Sequence, residues 1–179
     1  FRSPSLSGLE MEFTFSYKLQ SCDGFIIEVK REVIRQSSLL DNMLRDLEMD
    51  DDDEIDPLSL PIVLPRISRQ VLQKVIEWCD HHKHDGPFKE DVTGRETFEY
   101  QIPTWDLEYF NIDKALLYQI IMAANYLEIR GLLELGHKHI ALMMKGKRPE
   151  EIRTIFNVTN DFTPEEETEI HNELGWCLE

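Results

Sequence analysis

The stretch EWCDHHKHD, Glu77 to Asp85, holds one cysteine, three histidines and two aspartates, which are the ligand types of zinc. Zinc needs its ligands to converge on one point, and spacing decides whether they can. Cys79 belongs to the series Val71, Leu72, Val75, Ile76, Cys79, an apolar helix stripe on which a free cysteine is an ordinary buried residue. At about 100° per residue, Cys79 and His82 could share a face, whereas Asp80 and His84 share a different one, so three ligands do not meet. No second cysteine or histidine pair at metal spacing occurs, and His137 and His139 stand on nearly opposite helix faces. The stretch reads instead as a solvated helix end, in which His81, His82, Lys83 and His84 suit the negative end of the dipole. No metal is expected.

Other chemistries fail in the same way. A calcium loop started at Asp50 would put Ile55 where glycine is obligatory and Pro61 where a bidentate glutamate is needed. There is no G-x-S-x-G, no phosphate-binding loop and no dinucleotide fingerprint. Cys22, beside Asp23 in a turn, has no basic neighbour to activate it. No catalytic residue and no cofactor are expected. A net charge of −16 repels phosphate backbones, so a protein surface is a better partner than nucleic acid. Three scattered cysteines fit a reducing compartment, cytoplasm or nucleus, rather than a disulfide framework. No apolar run approaches the roughly 20 residues that span a bilayer, so no membrane role is expected.

The elements follow from local pattern. Residues 15–29 read as two strands around Asp23-Gly24, a dipeptide that supplies positive φ to a tight hairpin. Leu40, Met43, Leu44 and Leu47 form a helical stripe that Ser38 can cap, with Asp41 three residues on. PLSLPIVLP reads as a short strand, and the stripe ending at Cys79 as a helix capped by Ser68. Residues 84–111 carry no sustained period and read as an irregular linker. One helix then covers DKALLYQIIMAANYL, and another IRGLLELGHKHIALMMKG, which Gly136 weakens by roughly 1 kcal/mol. Pro149 with Glu150 and Glu151, and Thr163-Pro164 with Glu166, announce two further helix starts. Short helices must dock through their apolar faces, and a partner groove anchored by Trp176 is one way to do so.

The segments KLQSCDG, KVIEWCDHHK, IPTWDLEYF, AANYLEIRGLLEL, MKGKRPEEIRTIFNVTNDFTPEEE and GWC run in order from about residue 15 to 177. In them the chain resembles the Skp family, adaptor subunits of Skp–cullin–F-box ubiquitin ligases. The resemblance implies an α+β fold, a BTB/POZ-like N-terminal α/β unit followed by C-terminal helices. Met11 is a plausible start, so residues 1–10 read as a leader; the resemblance divides the rest into a BTB/POZ-like domain over 11–140 that contains the linker and an extension over 141–179. It implies a non-catalytic adaptor that promotes substrate ubiquitination and degradation, with weak self-association. Asn125 and Tyr126 fall where the family touches cullin. Leu117, Tyr118, Ile121, Leu133, Ile140, Met144, Ile152, Ile155, Phe156 and Trp176 fall on the side that takes F-box proteins. Tyr118 stands where the family generally has phenylalanine. The rival readings are an elongin-C-like adaptor, which would lack the extension through Trp176, and a self-associating BTB scaffold.

Overall fold

The computed structural model describes residues 16–49, 60–85 and 102–174. Contacts divide the chain into two compact units, one through His139 and one from Ile140.

In the first unit, β1 (Ser16–Ser21) and β2 (Ile26–Lys30) pair antiparallel, with Ser16 opposite Lys30 and Gln20 opposite Ile26. Gly24 alone takes positive φ in the turn, at 80°; Asp23 does not share that role as the sequence suggested. Asp23 is used elsewhere. Its carboxylate accepts from Ser21 Oγ, and its two oxygens lie 3.1 and 3.2 Å from the donating Arg69 amide. Arg69 begins α3 (Arg69–His81), and Ser68, the expected cap, makes no side-chain bond there. The hairpin turn thus caps a helix 46 residues away. β3 (Ile62–Leu64) lies parallel to β1 on its other side, giving the order β2-β1-β3.

α1 (Arg31–Ile34) and α2 (Ser38–Met49) follow the hairpin. The residue that caps α2 is Ser37, not Ser38. Its hydroxyl accepts from the Leu40 amide at 3.2 Å and donates to the Leu127 carbonyl at 2.5 Å. That second bond ties α2 to a point 90 residues on, which fixes Ser37 as the buried position. Asp41 pairs with Arg31 at 3.2 Å and Arg45 at 2.8 Å instead of closing a capping box. Leu40 and Leu44 are buried while Met43 faces outward. The side chain of Leu47 lies outside the described residues.

The expected linker contains a helix, α4 (Thr104–Tyr109). α5 (Lys114–Tyr126), capped by Asp113 on the Ala115 amide, packs against α3. α6 (Arg130–Met144) begins in the first unit and ends in the second. Gly136 is a packing residue: a Cβ there would stand 2.8 Å from Ile121 Cγ1, so the two helices touch where α6 has no side chain. The core gathers Leu19, Leu44, Leu72, Ile120, Leu127 and Leu132 among others.

The second unit holds α7 (Pro149–Phe156) and α8 (Pro164–Leu174). Glu151 accepts from the Arg148 amide at 2.8 Å, satisfying an amide ahead of α7, and Asn157 ends that helix at φ 52°. Thr163 and Glu166 form the expected reciprocal box on α8. Arg153 reaches Glu167 at 3.7 Å across the two helices.

Candidate partner interface

α5 sorts the predicted residues by face. Leu117 and Ile121 are buried within the first unit, Ile121 against Gly136. Tyr118 is 62 % exposed and Met122 49 %. With Asn125 they occupy i, i+4 and i+7, one outward stripe of two turns. Tyr126 beside it is half-buried. Residues assigned by resemblance to two different partners therefore share one helix face, with Met122 between them. The place of Met122 on the exposed face follows from the packing of α5.

On α6, Leu133 and Ile140 are half-buried and Met144 is exposed. In the second unit, α7 has no buried residue, and Ile152, Ile155 and Phe156 are half-buried. Val158, Phe162 and Ile170 are exposed. Trp176 lies outside the described residues. A helix pair with this much apolar surface in water has little core of its own. The arrangement suits helix-in-groove recognition of another protein.

The stretch that first suggested zinc is built differently from a solvated helix end. His81 and His84 are exposed, but His82 is buried, its ring stacked on Trp78 with centroids 4.0 Å apart. Asp106 of α4 closes over it, fully buried, taking the Trp78 indole N–H at 2.8 Å. Its other oxygen is 3.5 Å from His82 Nε2. Nothing in the spacing could reveal this, because Asp106 arrives across the linker from 24 residues away. Cys79 is buried, which pushes its thiol up to about 12. Among the described residues no three His, Cys, Asp or Glu side chains are grouped to hold a metal ion.

The description "Skp1 family, tetramerisation domain" matches residues 16–84, and "Skp1 family, dimerisation domain" matches residues 130–177. The chain belongs to the Skp1 family. A Skp1-related protein of Caenorhabditis elegans is 44 % identical over 160 residues, 89 % of this chain and 90 % of its own length. The E3 ubiquitin ligase complex SCF subunit sconC of Arthroderma benhamiae is 46 % identical over 163 residues, covering 90 % of this chain and 94 % of the relative. Its namesake in Talaromyces marneffei is 45 % identical over 161 residues, 89 % and 94 % of the two lengths. Membership in the Skp1 family accords with the α+β architecture and its BTB/POZ-like N-terminal unit.

Proposed function

We propose that this chain is a non-catalytic adaptor of an SCF ubiquitin ligase, bridging a cullin scaffold to F-box substrate receptors so that other subunits ubiquitinate the substrate. The observation that carries this is likeness along nearly the whole chain to two proteins named as SCF subunits. The exposed apolar surfaces add physical support, since an adaptor must offer two docking faces and little chemistry.

The F-box contacts in this reading come from Leu117, Tyr118, Ile121 and Leu133 in the first unit and from Ile140, Met144, Ile152, Ile155, Phe156 and Trp176 in the second. Within the first unit, Leu117 and Ile121 are buried and support the exposed stripe of α5. Asn125 and Tyr126 serve the cullin. Without a receptor, the same apolar surfaces support weak self-association. Cytoplasm and nucleus are the proposed locations.

The test is a pair of substitutions read in two pulldowns. Asn125→Lys with Tyr126→Ala is expected to lose the cullin and keep the F-box partner. Retention of cullin binding would remove this pair from the interface. Loss of both partners with an unchanged circular dichroism spectrum would refute distinct contact residues for the two partners.

A further inference from the structure

The Trp78–His82–Asp106 cluster has a proton balance that requires one proton between His82 and Asp106. The Trp78 carbonyl can only accept, so His82 Nδ1, 3.0 Å away, carries a proton. The Trp78 indole can only donate, so it occupies Oδ1 of Asp106. What remains is Nε2 facing Oδ2 at 3.5 Å, with Oδ2 buried and lacking any hydrogen-bond partner. Without a proton in that gap, two lone pairs oppose each other and a carboxylate sits in the core uncompensated. With one, the gap holds an ion pair whose cation stacks on an indole face.

We infer that a single proton held between His82 and Asp106 latches α4 to the end of α3, and that α4 loosens when this proton leaves. α4 has six residues and cannot persist alone. α4 is also held by the buried Tyr109, whose hydroxyl donates to the Lys74 carbonyl at 2.7 Å and whose ring lies 5.5 Å from the Lys74 ammonium, and by Trp105 stacked on His81 at 3.8 Å.

The surroundings of His82 come from several elements. From its own chain neighbours, His81 stands edge-on at 4.8 Å and Asp85 Oδ2 lies 3.9 Å from Nε2. From α4, the Trp105 ring is 5.5 Å away. Ahead of α2, Gln36 donates to the His82 carbonyl at 2.6 Å. His82 also lines a cleft of about 670 Å³ whose cations are Arg35, Arg45, Lys83, Arg130 and Lys138. Asp41, Asp85, Glu128 and Glu134 line the same cleft and largely offset them. Among the described residues, Asp106 is the one carboxylate fully buried against the ring. The sign follows: the latch is present while the proton is bound and is lost as pH rises past its release.

The experiment follows the ring nitrogens of His82 by nitrogen-15 NMR across pH, together with amide exchange over residues 104–110, in the intact protein. Both ring nitrogens are expected to be protonated while α4 is protected. Loss of the second proton and loss of protection should coincide, with protection factors falling by up to about tenfold per pH unit past that step. Asp106→Asn removes the charge, but its amide can accept from Trp78 and donate to the Nε2 lone pair. This variant should keep α4 protected and abolish the pH step. Separate steps for His82 and α4 in the wild type, or protection that ignores pH, would overturn the inference even if the variant failed to fold.

Discussion

Replacing Gly136 by alanine puts the packing of α5 against α6 to a test in which two effects have opposite signs. In a helix interior, alanine is favoured over glycine by about 1 kcal/mol, so sequence alone expects Gly136→Ala to stabilise. The structure says otherwise. The new Cβ would meet Ile121 Cγ1 at 2.8 Å and Cδ1 at 3.2 Å. Ile121 is buried and β-branched on a helix, which leaves it essentially one rotamer, so it cannot swing aside. Overpacking of this kind costs about 1–3 kcal/mol. The net expectation is a loss of about 1 kcal/mol, or a drop of about 2–4 °C in thermal midpoint by circular dichroism for a chain of this size. First clearing the space with Ile121→Ala should reverse the sign, so that Gly136→Ala then stabilises by up to about 1 kcal/mol. A raised midpoint for Gly136→Ala in the otherwise unchanged protein would refute the close approach.

Asp23 is held below the ordinary carboxylate range, first by the Ser21 hydroxyl and also by the Arg69 amide. Its contribution is therefore present above the ordinary carboxylate value and lost as pH falls through the lowered one. Asp23→Asn should lower the thermal midpoint near neutral pH, and the gap to wild type should close in acid; a gap independent of pH would contradict this. Cys79, at about 12 against an ordinary 9.0, presents roughly a thousandfold less thiolate at a given pH. Alkylation followed by peptide mass spectrometry should mark exposed Cys22 in the native protein and Cys79 only after unfolding. Trp176→Ala is expected to weaken F-box binding by about 2 kcal/mol or more. An unchanged dissociation constant in calorimetry would take Trp176 out of the interface.

Local rules made much of the fold legible. The Asp-Gly hairpin, the stripe from Val71 to Cys79 and the Thr163–Glu166 box each depend on residues within a few positions of one another. What depended on distant partners was not. α4 has no period to announce it and is fixed by what it packs against: Trp78, His81 and Lys74. The cap of α2 is Ser37, whose hydroxyl also donates to the distant Leu127 carbonyl, and α3 is capped by Asp23 from the hairpin. By spacing His82 reads as one more exposed histidine, yet Asp106 from a distant helix lies over it and His82 is buried. For the interface, the sequence supplied residue types and the family register. The structure added the sorting: Leu117 and Ile121 inward, Tyr118, Met122 and Asn125 outward along one stripe of α5.

The adaptor reading is tested most directly by co-expressing the chain with an F-box fragment, isolating the pair by size-exclusion chromatography, and adding a cullin N-terminal domain. The account predicts a stable ternary peak that contains all three chains. An F-box pair that never accepts the cullin, or a chain that elutes alone, would contradict it.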